Sequence, residues 1–181
     1  MTGRYVHLVR HGEAADGVLT GTGRRQAAAT GARLAALPIA ALHHGPLPRA
    51  AETARIIAAR LPGVPVRELE VCGDYIPPVG EPAALPPVFR DFLAPVTDEE
   101  YALGETLARA ALDRFARPAE TETHEVIVTH AFTVAWFVRD ALDAPEPRWL
   151  GLNAVNCGLT TILYRPGRPP ALIAFNEVSH L

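Results

Sequence analysis

Two histidines stand at the ends of short apolar runs: His11 in Leu8-Val9-Arg10-His11-Gly12-Glu13, and His130 in Val126-Ile127-Val128-Thr129-His130-Ala131. An apolar run ending in a reactive polar side chain has the form of a buried parallel strand that delivers its last residue to a cleft. Ligands of open α/β sheets bind at the carboxyl ends of strands, so two such deliveries imply one shared site. Arg10, and Arg49 in the run His44-Gly45-Pro46-Leu47-Pro48-Arg49-Ala50, place two permanent positive charges at further strand-to-helix junctions. The planar guanidinium fork matches phosphate oxygens and repels cations, so the expected ligand is a phosphoryl group. Imidazole is nucleophilic only when neutral, and neighbouring arginines oppose its protonation. No metal or other cofactor is expected. His7 and His11 are four apart, a spacing that pairs two ligands on a helix but not on a strand.

The elements that must position these residues follow an alternating rhythm. Tyr5 to Val9 reads as a strand and, after a glycine-bearing loop, Thr20 to Leu37 as a helix ended by Pro38. Ile39 to His43 is a second strand, and Pro46 to Leu61 a helix with proline near its start, where a missing N–H costs little. Val64 to Leu69 reads as a strand, Asp98 to Ala116 as a helix with Asp98 near its N-cap, Val126 to Thr129 as a strand and Ala131 to Leu142 as a helix. Leu159 to Tyr164 and Ala171 to Phe175 are two further strands joined through Pro166-Gly167 at a sheet edge. The fold class is therefore α/β: a single-domain, three-layer α/β/α sandwich over residues 1–181 with a mostly parallel sheet. The stretch from Ile76 to Pro95 holds six prolines and cannot be one regular helix or a central strand. This Pro-rich loop segment, at about residues 76–97, is a lid or wall over the cleft, or else a surface connection or dimer contact.

Composition narrows the partners. The chain has 181 residues, 49% of them hydrophobic and 20% charged, values of a globular domain. A net charge of -3 gives no electrostatic reason to bind nucleic acid or an anionic membrane. All 17 basic residues are arginines, so an arginine by itself carries little functional meaning here. Cys72 and Cys157 have no paired spacing and are expected to be reduced, and no secretory signal or membrane-spanning run is evident, so a cytoplasmic protein is expected. The remaining histidines His43, His124 and His180 read as packed or solvated, Trp136 and Phe137 as core, and Trp149 as core or cleft rim.

The ordered set resembles the histidine phosphatase superfamily, the phosphoglycerate mutase-like proteins, from the first strand to the helix after His130. Arg10-His11-Gly12-Glu13 is similar to its defining Arg-His-Gly signature, and Leu19-Thr20 with Gly23 and Gln26-Ala27 to the helix that follows. Pro46-Leu47-Pro48-Arg49-Ala50 with Glu52-Thr53-Ala54 resembles its second motif, and His130 its second histidine. The resemblance implies a phosphoglycerate mutase-like fold in which His11 attacks phosphorus and becomes phosphohistidine, while Arg10, Arg49 and His130 hold the phosphoryl oxygens. It further implies an acid that protonates the leaving oxygen and then activates water. Glu68, Glu70 and Asp74 all fall in the expected region. Asp74 is favoured because the aromatic and proline-rich segment after it resembles the branch that includes the mitochondrial serine/threonine protein phosphatase, where a glutamate stands ahead of prolines; Glu70 is second choice. Two departures stand out. His44-Gly45 occupies the place of two serines in many relatives, and the asparagine that often follows the first motif has no match in Ala14 to Gly17.

The function implied is a metal-independent, histidine acid phosphatase-type phosphoric monoester hydrolase acting on a phosphorylated small molecule or phosphoprotein. A phosphoglycerate mutase-type phosphotransferase is the runner-up. A mutase must exclude water, and this short chain lacks the longer insertions of those relatives. From a different class, a catalytically silent phosphate-binding or scaffold domain stays open. Oligomeric state is left open too, with the Pro-rich segment as a candidate dimer contact.

Overall fold

A computed structural model describes residues 2–181. In chain order it runs β1 (Arg4–Arg10), β2 (Ala14–Ala15), β3 (Val18–Leu19), α1 (Gly21–Leu34), β4 (Ile39–His44), α2 (Pro48–Ala58), β5 (Val66–Glu68), α3 (Pro87–Leu93), α4 (Asp98–Phe115), β6 (Thr123–Thr129), α5 (Ala131–Ala141), β7 (Leu159–Tyr164) and β8 (Ala171–Glu177). Short 3-10 turns occupy Glu70–Cys72, Pro82–Ala84 and Glu146–Gly151.

The main sheet has six strands in the order β5-β4-β6-β1-β7-β8. The first four are mutually parallel, and β7 runs antiparallel to both β1 and β8. Alternation along β1 decides the layers. Val6 and Leu8 join a core with Phe115 of α4 and Phe137 of α5, whereas Val9 joins a core with Leu34 of α1 and Ile57 of α2. The expected mixed α/β sandwich is therefore the observed one.

Several boundaries move for physical reasons. The helix expected to reach Leu37 closes at Leu34, and Thr20 is its cap, its hydroxyl accepting from the Gly23 N–H. The second helix begins at Pro48, not Pro46, and the strand expected over Val64 to Leu69 shortens to Val66–Glu68. Thr97, not Asp98, caps α4, through a capping box with Glu100. β6 starts three residues before the expected Val126 because its polar residues find partners in the sheet. The His124 ring stacks on Tyr5 at 4.3 Å, and Glu125 accepts from His43 Nε2 at 3.1 Å. His7 binds Thr161 Oγ1 and His124 Nδ1, each at 3.0 Å. β2 and β3 form a small hairpin closed by Asp16-Gly17, both with positive φ, the geometry of a two-residue loop.

The Pro-rich segment is anchored on the core, and none of its residues is in the wall of the large cleft that holds His11 and His130. Val79, Leu85 and Leu93 are buried with Trp136 and Trp149, and α3 gives it a short helical turn. Trp149 is fully buried and donates to the Pro78 carbonyl at 2.8 Å, which settles it as core. On α4, Gly104 lies so close to Ile76 that a Cβ would overlap the Ile76 carbonyl oxygen. Gly104→Ala therefore sets a helix-propensity gain of about 1 kcal/mol against an overlap with rigid backbone. The overlap wins: net destabilisation of about 1–3 kcal/mol is expected in urea titration, with faster proteolysis between residues 76 and 97 in the variant.

Candidate active site

β6 and β1 are neighbours in parallel register, with Arg10 opposite Thr129. The ladder continues one step further, His11 N–H donating to the Thr129 carbonyl at 2.9 Å. His11 and His130 thus emerge side by side, ring centroids 5.1 Å apart. Gly45, at the end of β4, donates to the Val128 carbonyl and brings the start of α2, with Arg49, to the same edge. The residues line an open cleft of about 470 Å³ with Arg10, His11, Arg49, Asp74 and His130 in its wall.

The hydrogen bonds assign the proton on His11. Its Nδ1 lies 2.8 Å from the Gly12 carbonyl, an acceptor, so Nδ1 carries the hydrogen. Its Nε2 receives the Arg49 Nε–H at 3.1 Å, so Nε2 holds a free electron pair. Burial, reinforced by Arg49 and Arg10 against the opposing Gly12 bond, lowers His11 to about 4. Burial, together with His11, Arg49 and Arg10, lowers His130 to about 3. Both rings are neutral near pH 7, and His130 keeps an unpartnered buried Nε2.

Arg49 is shared. Its Nη2 donates to Asp74 Oδ2 at 2.7 Å and lies 3.4 Å from His130 Nδ1. Arg10 is fixed by one bond, Nη1 to the Ala154 carbonyl at 2.7 Å, leaving further N–H groups of the fork for a ligand. Helices α2 and α5 both begin at the cleft with no side-chain cap and no acidic residue in the first turn. Their unsatisfied N–H groups and dipoles add to the attraction for an anion. Burial pushes the Asp74 carboxyl above the usual carboxylate value, against the pull of Arg49 and Arg10.

Of the three candidate acids, Asp74 alone lines this cleft; Glu68 and Glu70 are exposed outside it. The Asp74 loop is pinned from the second histidine's own segment: Thr129 Oγ1 donates to the Cys72 carbonyl at 2.7 Å and Thr133 Oγ1 to the Gly73 carbonyl at 2.8 Å. Those threonines are braces that sequence reasoning did not single out, whereas Asn156, which donates to the His11 carbonyl at 2.9 Å, lies in the run from Gly151 to Gly158 that the sequence offers as a brace of the site. Thr53 accepts from the Gly12 N–H at 3.1 Å and donates to the Arg49 carbonyl at 2.7 Å, tying the two motifs together.

The departures at His44-Gly45 have a structural reason. A Cβ at Gly45 would overlap the Cys72 carbonyl oxygen, so serine does not fit. His44 binds the Gly45 carbonyl through Nδ1 and is not part of the cleft wall. An amide does reach the cleft, from Asn153 at its far side.

Comparison with known proteins agrees with this geometry. Residues 6–71 match the histidine phosphatase superfamily (branch 1). The chain is 30% identical over 187 residues to the serine/threonine-protein phosphatase Pgam5, mitochondrial, of Caenorhabditis briggsae. It is 32% identical over 190 residues to PGAM5, mitochondrial, of Homo sapiens. Each alignment covers 98% of this chain and 64% of the relative, so the chain spans less than two thirds of the curated proteins it matches. Among solved structures, Bacillus stearothermophilus YhfR superimposes with a TM-score of 0.74 at 22% identity, covering 98% of both chains. A phosphoserine phosphatase from Entamoeba histolytica gives 0.71 at 20%, covering 98% of this chain and 99% of that one. The cytoplasmic expectation is overturned, since these curated relatives are named as mitochondrial. Unpaired cysteines such as Cys72 and Cys157 do not separate cytoplasm from mitochondrion.

The tautomer and the lowered values are measurable. Nitrogen-15 spectra of His11 should show protonated Nδ1, bare Nε2 and no titration from pH 8 down to about 5; a midpoint of 6 to 7 would refute the neutral assignment. His7, also lowered to about 4 by burial, His124 and Arg33, behaves alike. In the unfolded chain these imidazoles take protons near pH 6.5, so between that pH and about 4 the unfolded state binds more protons. Stability is full above pH 6.5 and falls as pH drops toward 4. Asp74, shifted upward, opposes three histidines, and thermal melts across this range should show a net decline.

Proposed function

We propose that this chain, whose residues 6–71 match the histidine phosphatase superfamily, is a metal-independent phosphomonoesterase of that family whose nucleophile is His11. The observation that carries this reading is the free electron pair of His11 Nε2, held in an open cleft by an arginine that donates to it. Water reaches such a cleft, which favours hydrolysis over the retained group that a mutase needs.

The phosphoryl oxygens are held by Arg10, Arg49, His130 and the start of α5. His130 Nδ1 lies 3.4 Å from both Arg49 Nη2 and Asp74 Oδ2, and its Nε2, without a partner among the described residues, is left to meet a phosphoryl oxygen. Arg49 must leave His11 Nε2 and Asp74 to take the phosphate. Asp74 then loses the cation that held it down and gains a dianion beside it, and both changes raise its affinity for a proton. Substrate binding thereby loads the acid. Nε2 forms the N–P bond as the P–O bond breaks, and the leaving oxygen takes the Asp74 proton. The Gly12 carbonyl, accepting from Nδ1, steadies the positive charge that develops on the ring. In the second half, the Asp74 carboxylate removes a proton from water, which attacks phosphorus and releases neutral His11 and phosphate.

The substrate class is a phosphorylated side chain of a protein or a small phosphomonoester. The named activity of the curated relatives supports the former, and the cleft geometry accepts either.

Hydrolysis of an aryl phosphate and of phosphoserine, each with excess chelator, tests the reading. His11→Ala should lower kcat by about 10⁴-fold or more. Asp74→Asn should lower phosphoserine turnover by about 10²–10³-fold and aryl phosphate turnover less, because a phenolate leaves with little help from an acid. Activity that survives His11→Ala, or disappears with chelator, would exclude the mechanism.

A further inference from the structure

A second basic cavity lies away from the cleft. About 300 Å³ in volume, it is lined by Arg4, His43, Arg67, Arg114, Phe115 and Glu125. It opens on the sheet face covered by α4, between Arg4 at the start of β1 and His43 of β4, which stands level with Leu8 of β1, and it shares no lining residue with the cleft.

The charges do not cancel. Glu125 is the one carboxylate among the described lining residues, and it is already taken: His43 Nε2 lies 3.1 Å from it and Arg4 Nε 3.5 Å. Arg67 and Arg114 are exposed, and among the described residues their guanidinium groups have no hydrogen bond or ion pair; Arg114 only stacks over Phe115 at 5.5 Å. Counting Arg4, Arg67 and Arg114 against Glu125, which Arg114 also reaches electrostatically, the lining keeps an excess of two positive charges. Arg4 Nε, a buried donor, makes no hydrogen bond among the described residues beyond its 3.5 Å ion pair with Glu125. The C-terminal carbonyls of α4 also face this region and disfavour an anion. Arg4 Nη1 neutralises two of them, donating to Arg114 at 2.9 Å and Phe115 at 3.5 Å.

We propose that this cavity is a binding site for a small phosphoryl anion, of the size of phosphate or pyrophosphate, held by the Arg67 and Arg114 guanidinium groups over Arg4. Arginine forks match the tetrahedral oxygens, and the volume admits one or two phosphoryl groups but not a nucleotide with its base enclosed. The site is separate from the catalytic cleft and does not depend on the reaction assigned to His11.

The test is an amide NMR titration of the full chain with inorganic phosphate and with pyrophosphate, at constant ionic strength set with chloride. Resonances of Ala41, His43, Arg67 and Arg114 should shift saturably, with a midpoint distinct from that of His11 and Gly12. Arg67→Ser combined with Arg114→Ser should weaken the shifts around His43 by about tenfold or more, leave the cleft shifts in place and keep aryl phosphate hydrolysis within about twofold. The corresponding pair Arg67→Lys and Arg114→Lys should recover part of the affinity. Shifts confined to the cleft, or shifts around His43 that the serine pair does not weaken, would overturn the proposal. Stronger binding of pyrophosphate than of phosphate would identify the bridged anion as the better ligand.

Discussion

The parallel ladder between β1 and β6 is the constraint on which the cleft rests. Its register sets Arg10 opposite Thr129 and continues through the His11 amide, so the two histidines leave the sheet as neighbours. A slip of one residue would turn every side chain of β1 to the other face. Val6 and Leu8 would leave one core and Val9 the other. Burial on both faces therefore holds the chemistry in place, and no separate device is needed to align the rings.

Electrostatics follows from that alignment. Two arginines and two helix starts concentrate positive potential where two imidazoles are buried. The rings respond by remaining neutral, and the arginine that would otherwise repel a protonated ring instead donates to it. Asp74 is held between the cost of burial and the pull of Arg49.

Much of this was legible in the sequence, and the gaps have causes. Apolar runs located β1, β4, β7 and the helices around them, because strands buried on both faces announce themselves by composition. The start of β6 was missed because Thr123, His124 and Glu125 are polar, and only their partners on β1 and β4, far away in the chain, make them strand. The Asp16-Gly17 hairpin carried a turn signal that a reading of the region as a loop passed over. Arg10, His11, Arg49 and His130 came together as their spacing implied. Asp74 could not be separated from Glu70 by spacing, since the choice depends on a 3-10 turn at Glu70–Cys72 and on hydroxyl bonds from a distant segment. His44-Gly45 looked like a lost contact, and only the approach of the Cys72 backbone explains it.

The attachment of the Asp74 loop to Thr129 and Thr133 has a consequence for anyone wishing to re-engineer this scaffold. The carboxylate and the second histidine are fastened to one another through backbone carbonyls, whichever residues follow Tyr75. The Pro-rich stretch beyond is joined to the rest by the Ile76 approach to Gly104 and the Pro78 bond to Trp149. A graft that begins after Pro78 thus keeps those two anchors, but it must supply again the apolar side chains that Val79, Leu85 and Leu93 pack against Trp136 and Trp149. The natural seam of the scaffold lies at that proline.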